Sequence, residues 1–266
     1  ANYSVSRISG LVGYMLAGGV IALIGAVGAL WIDAATFLIS SAIIWSIRYQ
    51  ENLQGAKQTV KGVIQDFAEG FRFIRASRTI QTVSLIGLLI NFGIMPLTVF
   101  QTPYVSDYLK MGPETLSYIK ILTSVGMITG SALLPKLGKI KTPVIAVAAG
   151  VIMGAALIEM SIAQSLPSPI LKMGILTLSM VSIGFGGGLL NVVIGSSVMK
   201  AVPKEMMGRI SGFLTAMMQA SMPVASFICS ALAVYFHIPH ILVFFGSLTL
   251  ICSLALYFRK KLDALS

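Results

Sequence analysis

Charged residues are scarce in this chain, since Asp, Glu, Lys and Arg make up only 11% of its 266 residues, against about 25% in ordinary globular domains. Acidic residues are the scarcest, with nine carboxylates against nineteen Lys and Arg. A large soluble helical protein needs charged faces on its helices, so the shortage excludes that class. Because hydrophobic residues reach 56%, the chain is predicted to lie in a membrane.

Cysteine and histidine are nearly absent, with two of each. Cys229 and Cys252 lie in different apolar stretches without metal-type spacing and are interpreted as small core residues. His237 and His240 form a short HIPH in a predicted loop, which is too few ligands for a metal site. The sequence also lacks a Ser/His/Asp or HExxH arrangement. We therefore expect no catalytic residue, metal or cofactor, and the chain is not interpreted as an enzyme.

Long apolar runs are what the chain does contain. A membrane-spanning helix needs about 20 mostly apolar residues, and runs of this kind recur along the whole length. They predict an all-α polytopic membrane protein with about eight transmembrane helices, near residues 8–29, 31–48, 80–101, 115–135, 142–163, 171–196, 210–234 and 239–258.

The net charge of +10 raises the question of nucleic-acid binding, but the placement of the basic residues decides against it. If alternate connections face the cytoplasm, sixteen Lys and Arg fall on one side and two on the other. Such a positive-inside bias sets orientation in the membrane. It predicts a multi-pass protein of the bacterial plasma membrane with both ends of this chain in the cytoplasm, and no nucleic-acid partner.

One long polar connection, residues 49–79, interrupts the apolar runs. Its apolar residues recur at helical spacing and predict an amphipathic helix on the cytoplasmic membrane surface: Val60, Val63, Ile64, Phe67, Phe71 and Ile74. A docking helix for a separate ATPase is the alternative.

Glycine pairs four residues apart lie inside several spans, a spacing that lets helices approach closely in lipid. We expect close packing at Gly126 and Gly130, and either close packing or a flexible cavity-lining helix at Gly184, Gly186, Gly187 and Gly188.

The third span contains NFGIMP, residues 91–96. Pro96 removes a backbone donor, so a kink is expected near Phe92. Asn91 is polar at membrane depth, and an interrupted helix with a polar residue is typical of transporter binding sites. A simple interhelical hydrogen bond explains Asn91 equally well.

The tetrapeptide RISG occurs twice, at residues 7–10 and 209–212, each time before a long apolar run. Many transporters consist of two equivalent six-helix halves, in which such a repeat recurs once per half. At this point the sequence resembles the major facilitator superfamily, more narrowly its bacterial drug-efflux branch. The resemblance rests on ANYSVSRISGLVGYMLAGG, WIDAATFLISS, AEGFRFIRASRTIQ, QTPYVSDYLKMGPETLSYI and VPKEMMGRISGFL.

The resemblance covers the family's fifth to twelfth helices and implies a partial major-facilitator fold. Residues 1–48 would be the last two helices of the N-terminal half, residues 49–79 the linker, and residues 80–266 the complete C-terminal half. Because the first four helices of the pattern do not occur and the chain begins at Ala1, we expect missing N-terminal helices of the same protein as a partner.

The resemblance also implies candidate motif and helix-seam positions. The antiporter motif of the fifth helix lacks its proline, and the Gly-x-x-x-Asp-Arg-x-Gly-Arg motif has only the degenerate copy SALLPKLGK, without its acidic member. The candidates are Arg7, Gly10, Gly13, Gly18, Gly19, Gly126, Gly130, Lys136, Gly138, Lys139, Gly208, Arg209 and Gly212.

By the same resemblance, the expected function is proton-coupled efflux of a small amphipathic compound. The alternatives are the permease subunit of an ATP-driven transporter and a major-facilitator importer. The substrate-pathway candidates are Asn91, Pro96, Gly184, Gly186, Gly187, Gly188 and Asn191. The partners would be the lipid bilayer, a small-molecule substrate and protons.

Two charges lie deepest in the predicted spans, Lys120 in the fourth and Glu159 in the fifth. A lone charge at a helix centre costs about 2.5–3.5 kcal/mol on insertion scales. We therefore predict that the two side chains form a buried ion pair.

Overall fold

The computed structural model describes residues 24–25, 27–46, 70–134, 142–203 and 206–258. These residues are helical apart from short connections, and none of them is in a strand. The chain divides into two compact units, Ala1–Asp66 and Phe67–Ser266. The boundary falls inside the polar connection that the sequence predicts at 49–79.

The first unit contributes helix α1, Val27–Ser46. Gly25 precedes it with a φ of +73°, a left-handed conformation that glycine adopts without steric cost. The sequence placed the connection between the first two spans near residue 30. That boundary is wrong, because the helix runs unbroken through residue 30 and the left-handed residue lies five positions earlier.

The second unit begins with a short helix α2 at residues 70–76. Its long helices are α3, Arg78–Pro103; α4, Glu114–Leu133; α5, Thr142–Ala163; α6, Pro169–Ala201; α7, Met207–Ala233; and α8, Ile238–Phe258. A π-helical segment, Tyr104–Leu109, continues α3. Within the described ranges, seven helices are long and apolar enough to span a bilayer. They match the second to eighth predicted spans, while residues 1–23 lie outside the description.

Local sequence explains where several of these helices begin and end. The Ser77 hydroxyl accepts a hydrogen bond from the Ile80 N–H at 3.4 Å and caps α3. Pro169 stands in the first turn of α6, where its missing N–H costs nothing. Lys110, with a φ of 58°, closes the π-helical segment in the left-handed region. Pro96 lies inside α3, which continues through it.

Helix α6 is the hub of the second unit. It packs against α4 on one side and α5 on another, α5 also packs against α8, and α3 packs mainly against α7. The main apolar core lies among α3, α5, α6 and α8, around Leu157, Met180 and Phe245. The sequence could suggest that α4 and α5 are neighbours because they are consecutive, but each makes its principal contacts elsewhere.

Glycines bring α4 and α6 backbone to backbone. An added Cβ at Gly126, Gly130, Gly184 or Gly188 would overlap backbone atoms of the facing helix in every case. Small residues at a helix interface permit such close approach in a membrane. The close packing expected from the glycine spacing is therefore confirmed for this helix pair.

The described end of the polar connection packs differently from the expectation. The predicted apolar stripe would place Phe71 and Ile74 together on the membrane surface. Phe71 is exposed, but Ile74 is buried in a second apolar cluster with Ile80, Val198 and Ile210. At residues 70–76 the prediction of a continuous lipid-facing stripe is wrong, because Ile74 packs against the ends of α3, α6 and α7.

Candidate functional site

A cavity of about 370 Å³ opens in the second unit between α3, α4 and α6. Its volume lies within the range of small-molecule sites, about 300–1,000 Å³. The lining is apolar except for a few polar side chains that converge from three helices: Asn91, Thr98, Gln101, Lys120, Thr123 and Asn191. We define these residues and their apolar neighbours as the central cavity.

One face of α3 supplies half of the polar lining. Asn91, Ile94, Thr98 and Gln101 all line the central cavity, and they follow one another at steps of three, four and three residues. This spacing places side chains on a single helical face. The helix thus turns one mixed polar face to the cavity.

Gln101 is the functional candidate that the sequence reasoning missed. Its side chain is only 8% exposed, and its Nε2 is buried without a hydrogen-bond partner among the described residues. Leaving a buried amide donor unpaired costs about 1–3 kcal/mol, so its presence needs a reason. The sequence predicted the end of the third span at residue 101, where a polar side chain is ordinary. The helical spacing from Asn91 was the available signal.

The two predicted asparagines both line the central cavity. Asn191 lies on α6 and its Nδ2 donates to the Gly187 carbonyl at 3.2 Å, which leaves its side-chain oxygen for another donor. Asn91 is half-buried, and no described residue forms a hydrogen bond with its carboxamide. Both side chains therefore retain hydrogen-bonding capacity toward the cavity.

The four glycines of α6 have different roles. Gly184 and Gly187 line the central cavity, whereas Gly186 and Gly188 do not. At Gly186 an added Cβ would meet Met153 Cγ at 2.6 Å on α5, and at Gly188 it would overlap the α4 backbone. At Gly187 the nearest atom is Met127 Cε at 3.5 Å, an ordinary contact. Gly186 and Gly188 are packing positions, whereas Gly187 has room for a side chain beside the flexible end of Met127.

Pro96 does not line the central cavity, and its role in the substrate pathway stays a prediction. It is buried on another face of α3, where it borders a small gap with Tyr104, Met160 and Leu242. The Tyr104 hydroxyl donates to the Met160 carbonyl there. This contact fixes the end of α3 to α5.

The predicted ion pair between Lys120 and Glu159 is not formed. Lys120 is exposed and lines the central cavity, whereas Glu159 is half-buried on α5 and does not. The reason is the helix packing, since α4 and α5 both pack against α6 rather than mainly against each other. Lys120 is the single ionisable side chain among the residues that line the central cavity.

Most of the motif candidates cannot be placed. Arg7, Gly10, Gly13, Gly18 and Gly19 lie outside the described residues, as do Lys136, Gly138 and Lys139. At the start of α7, Gly208, Arg209 and Gly212 are exposed. Their predicted role in a helix seam stays a prediction.

A second and larger cavity of about 560 Å³ lies at the connection between α7 and α8. Its lining is mainly aromatic and aliphatic, including Tyr235, Phe236 and Phe244, and the rings of His237 and His240 lie 6.0 Å apart. Aromatic side chains of this kind are enriched where helices leave the membrane. We place the functional site in the central cavity, because polar groups from three helices converge there.

Within the described ranges, no three His, Cys, Asp or Glu side chains form a group that could hold a metal ion. The central cavity offers amide, hydroxyl and ammonium groups around an apolar space. This arrangement is suited to reversible binding of a small molecule.

Comparison with known proteins gives one family and one group of relatives. The family model of the Major Facilitator Superfamily matches residues 1–226. The multidrug efflux pump Tap of Mycobacterium tuberculosis (strain ATCC 25618 / H37Rv) is 23% identical over 240 residues, which cover 84% of this chain and 54% of the pump. Tap of Mycobacterium bovis (strain BCG / Pasteur 1173P2) gives the same values. The chain thus spans about half the length of these relatives, and no solved structure matches it significantly.

Proposed function

The chain belongs to the Major Facilitator Superfamily, and from this premise we propose that it forms part of a secondary transporter that exports a small amphipathic compound in exchange for protons. The observation that supports the proposal is the central cavity, where Asn91, Gln101 and Asn191 bring polar groups from α3 and α6 into an apolar space. The similarity to a multidrug efflux pump supports the direction of transport. A polar cavity at membrane depth is typical of transporter binding sites.

Accumulation of a fluorescent compound in an efflux-deficient bacterium tests this function. We expect cells that express the complete reading frame carrying this chain to accumulate several-fold less of at least one dye, from a set of anionic, neutral and cationic amphipathic dyes, than cells with the empty vector. An uncoupler that dissipates the proton gradient should abolish the difference. Export that persists with the uncoupler while ATP is maintained would instead support an ATP-driven permease. Increased accumulation would support an importer.

We further propose that the complete transporter contains more spanning helices than this chain. The relatives are about twice as long as the matched segment, and family members of two six-helix halves enclose their cavity between the halves. Residues 1–48 would end the N-terminal half and residues 80–266 would form the C-terminal half. The coding sequence upstream of Ala1 should then encode four further apolar spans in the same frame. A stop codon directly upstream of a chain that still transports would contradict this.

The basic residues predict the orientation in the membrane. With sixteen Lys and Arg on one side and two on the other, the polar connection and the C-terminal end should both be cytoplasmic. In a background with Cys229→Ala and Cys252→Ala, we expect Gln58→Cys and Leu262→Cys to react with a membrane-impermeant thiol reagent only after the cells are permeabilised. Reaction of either position in intact cells would reverse the assignment.

A further inference from the structure

The central cavity contains one full charge, and it is positive. Lys120 is the single ionisable residue in its lining, and none of the described acidic residues, Asp33, Asp107, Glu114 and Glu159, borders it. Lys120 forms no ion pair with any described residue. An ammonium group within a spanning helix costs a few kcal/mol and is usually retained for a function. The cavity therefore offers a positive charge that the described protein does not neutralise.

A second unsatisfied donor lies toward the same end of the cavity. Gln101 stands eight residues before the end of the π-helical segment at Leu109, and Lys120 stands six residues after the start of α4 at Glu114. Both are thus close to the connection between α3 and α4. The buried Nε2 of Gln101 has no partner in the described structure. The Gln101 side chain lines the central cavity and also borders the small gap beside Pro96.

The neighbouring polar groups do not satisfy these donors. The Thr123 hydroxyl donates to the Ile119 carbonyl at 2.8 Å within α4, and Asn191 donates to Gly187 within α6. Thr98 adds a hydroxyl to the lining, and most of the other nearby residues are apolar, including Ile94, Met127 and Leu190. A ligand that completes this site needs an apolar body and a strong hydrogen-bond acceptor, preferably one with a negative charge.

From these observations we propose that the transported compound is an amphipathic anion, whose carboxylate, sulfonate or phosphate group lies beside Lys120 and Gln101. Its apolar body would pack against the aliphatic and methionine side chains between α3, α4 and α6. Charge-assisted hydrogen bonds from an ammonium and an amide to one anionic group are stronger than neutral ones. This inference rests on the proposed transport function and adds the substrate class to it.

Three probes that share one apolar body and carry an anionic, a neutral or a cationic headgroup test the substrate class. They are dansyl-labelled undecanoic acid, its primary amide and its trimethylammonium analogue. Binding is measured by dansyl fluorescence on the purified full-length protein in nanodiscs of zwitterionic lipid, with empty nanodiscs subtracted. We expect the carboxylate to bind about tenfold more tightly than the amide, which corresponds to about 1.4 kcal/mol, and the trimethylammonium probe to bind most weakly.

Matched variants assign the preference to residues. Lys120→Met should remove the advantage of the carboxylate over the amide, Lys120→Arg should keep it, and Gln101→Leu should weaken binding of both probes. Lys172→Met is the control, because Lys172 lies on α6 outside the cavity lining and its loss should change nothing. If Lys120→Met does not fold, the probe series on the unmodified protein and on Lys120→Arg still decides.

The outcomes separate this inference from the proposed function. Equal binding of all three probes by a protein that exports dyes would overturn the anionic substrate and leave the transport function intact. A carboxylate preference that survives Lys120→Met would overturn the role of Lys120. Failure of every probe to bind, together with no export in cells, would overturn the transport function and the inference with it.

Discussion

Gly188→Ala is expected to destabilise the protein by about 3 kcal/mol, the upper part of the usual range for overpacking. An added Cβ at this position would overlap the backbone of Met127 on α4. A flexible side chain could move aside, but a backbone segment inside a helix cannot do so without separating α4 from α6. We expect a lowered thermal midpoint in detergent and an earlier transition on titration with SDS.

Gly195→Ala is the matched control for this packing. Gly195 lies seven residues further along α6, two helical turns away and on nearly the same face. No atom of the described residues beyond its own stretch of helix lies within 4 Å of the position of its added Cβ. Since alanine has the higher helix propensity, this variant should be neutral or more stable by up to about 1 kcal/mol. Equal stability of the two variants would refute the close contact between α4 and α6.

Gly187→Leu should differ from Gly188→Ala, because it should abolish most transport with little loss of stability. Gly187 borders the central cavity, and among the described residues outside its own stretch of helix its one near neighbour is the end of the flexible Met127 side chain. A leucine there has room to enter the cavity and would occupy space that the transported compound needs. We expect dye export to fall at least about tenfold, a loss of about 1.4 kcal/mol, while the thermal midpoint stays close to that of the unmodified protein.

The control for cavity blocking is Gly195→Leu, which places the same side chain on the same helix outside the cavity lining. It should retain export. If Gly187→Leu exports as well as Gly195→Leu does, the central cavity is not on the transport pathway. If Gly187→Leu unfolds, the position is a packing site like Gly188.

The helices themselves could be read from the sequence because lipid imposes a simple requirement. A spanning segment must be apolar over about 20 residues, and runs of that length identified every long helix that the structure describes. The exception is the boundary between the first two predicted spans, which the sequence placed near residue 30. An apolar run continues across residue 30, so hydropathy alone does not show that α1 already includes residues 27–30 or that Gly25 has a positive φ.

Packing partners were harder to predict, because adjacency in sequence does not determine adjacency in space. The ion pair between Lys120 and Glu159 was inferred from consecutive helices at similar depth. Both helices instead pack against α6, a contact that depends on Gly126, Gly184 and Gly186. The glycine spacing identified a close-packing face but did not state which helix it would meet.

The candidate site was predicted in part for a similar reason. Asn91 and Asn191 are polar within apolar runs and stand out in the sequence. Gln101 does not, since it coincides with the predicted end of a span, and only the register of α3 places it on the same face as Asn91. Pro96 attracted attention as a helix interruption, yet its ring lies on another face, against α5 and α8.

The most direct test of the central cavity as the substrate pathway is the reactivity of single cysteines toward a water-soluble methanethiosulfonate reagent. In the background without Cys229 and Cys252, Asn91→Cys and Asn191→Cys should react and should be protected by an exported compound. Leu178→Cys, on an exposed apolar face of α6 outside the cavity lining, should remain unreactive because lipid covers it. If both cavity positions are as unreactive as Leu178→Cys, or react without any protection by the exported compound, the assignment of this cavity as the substrate pathway is contradicted.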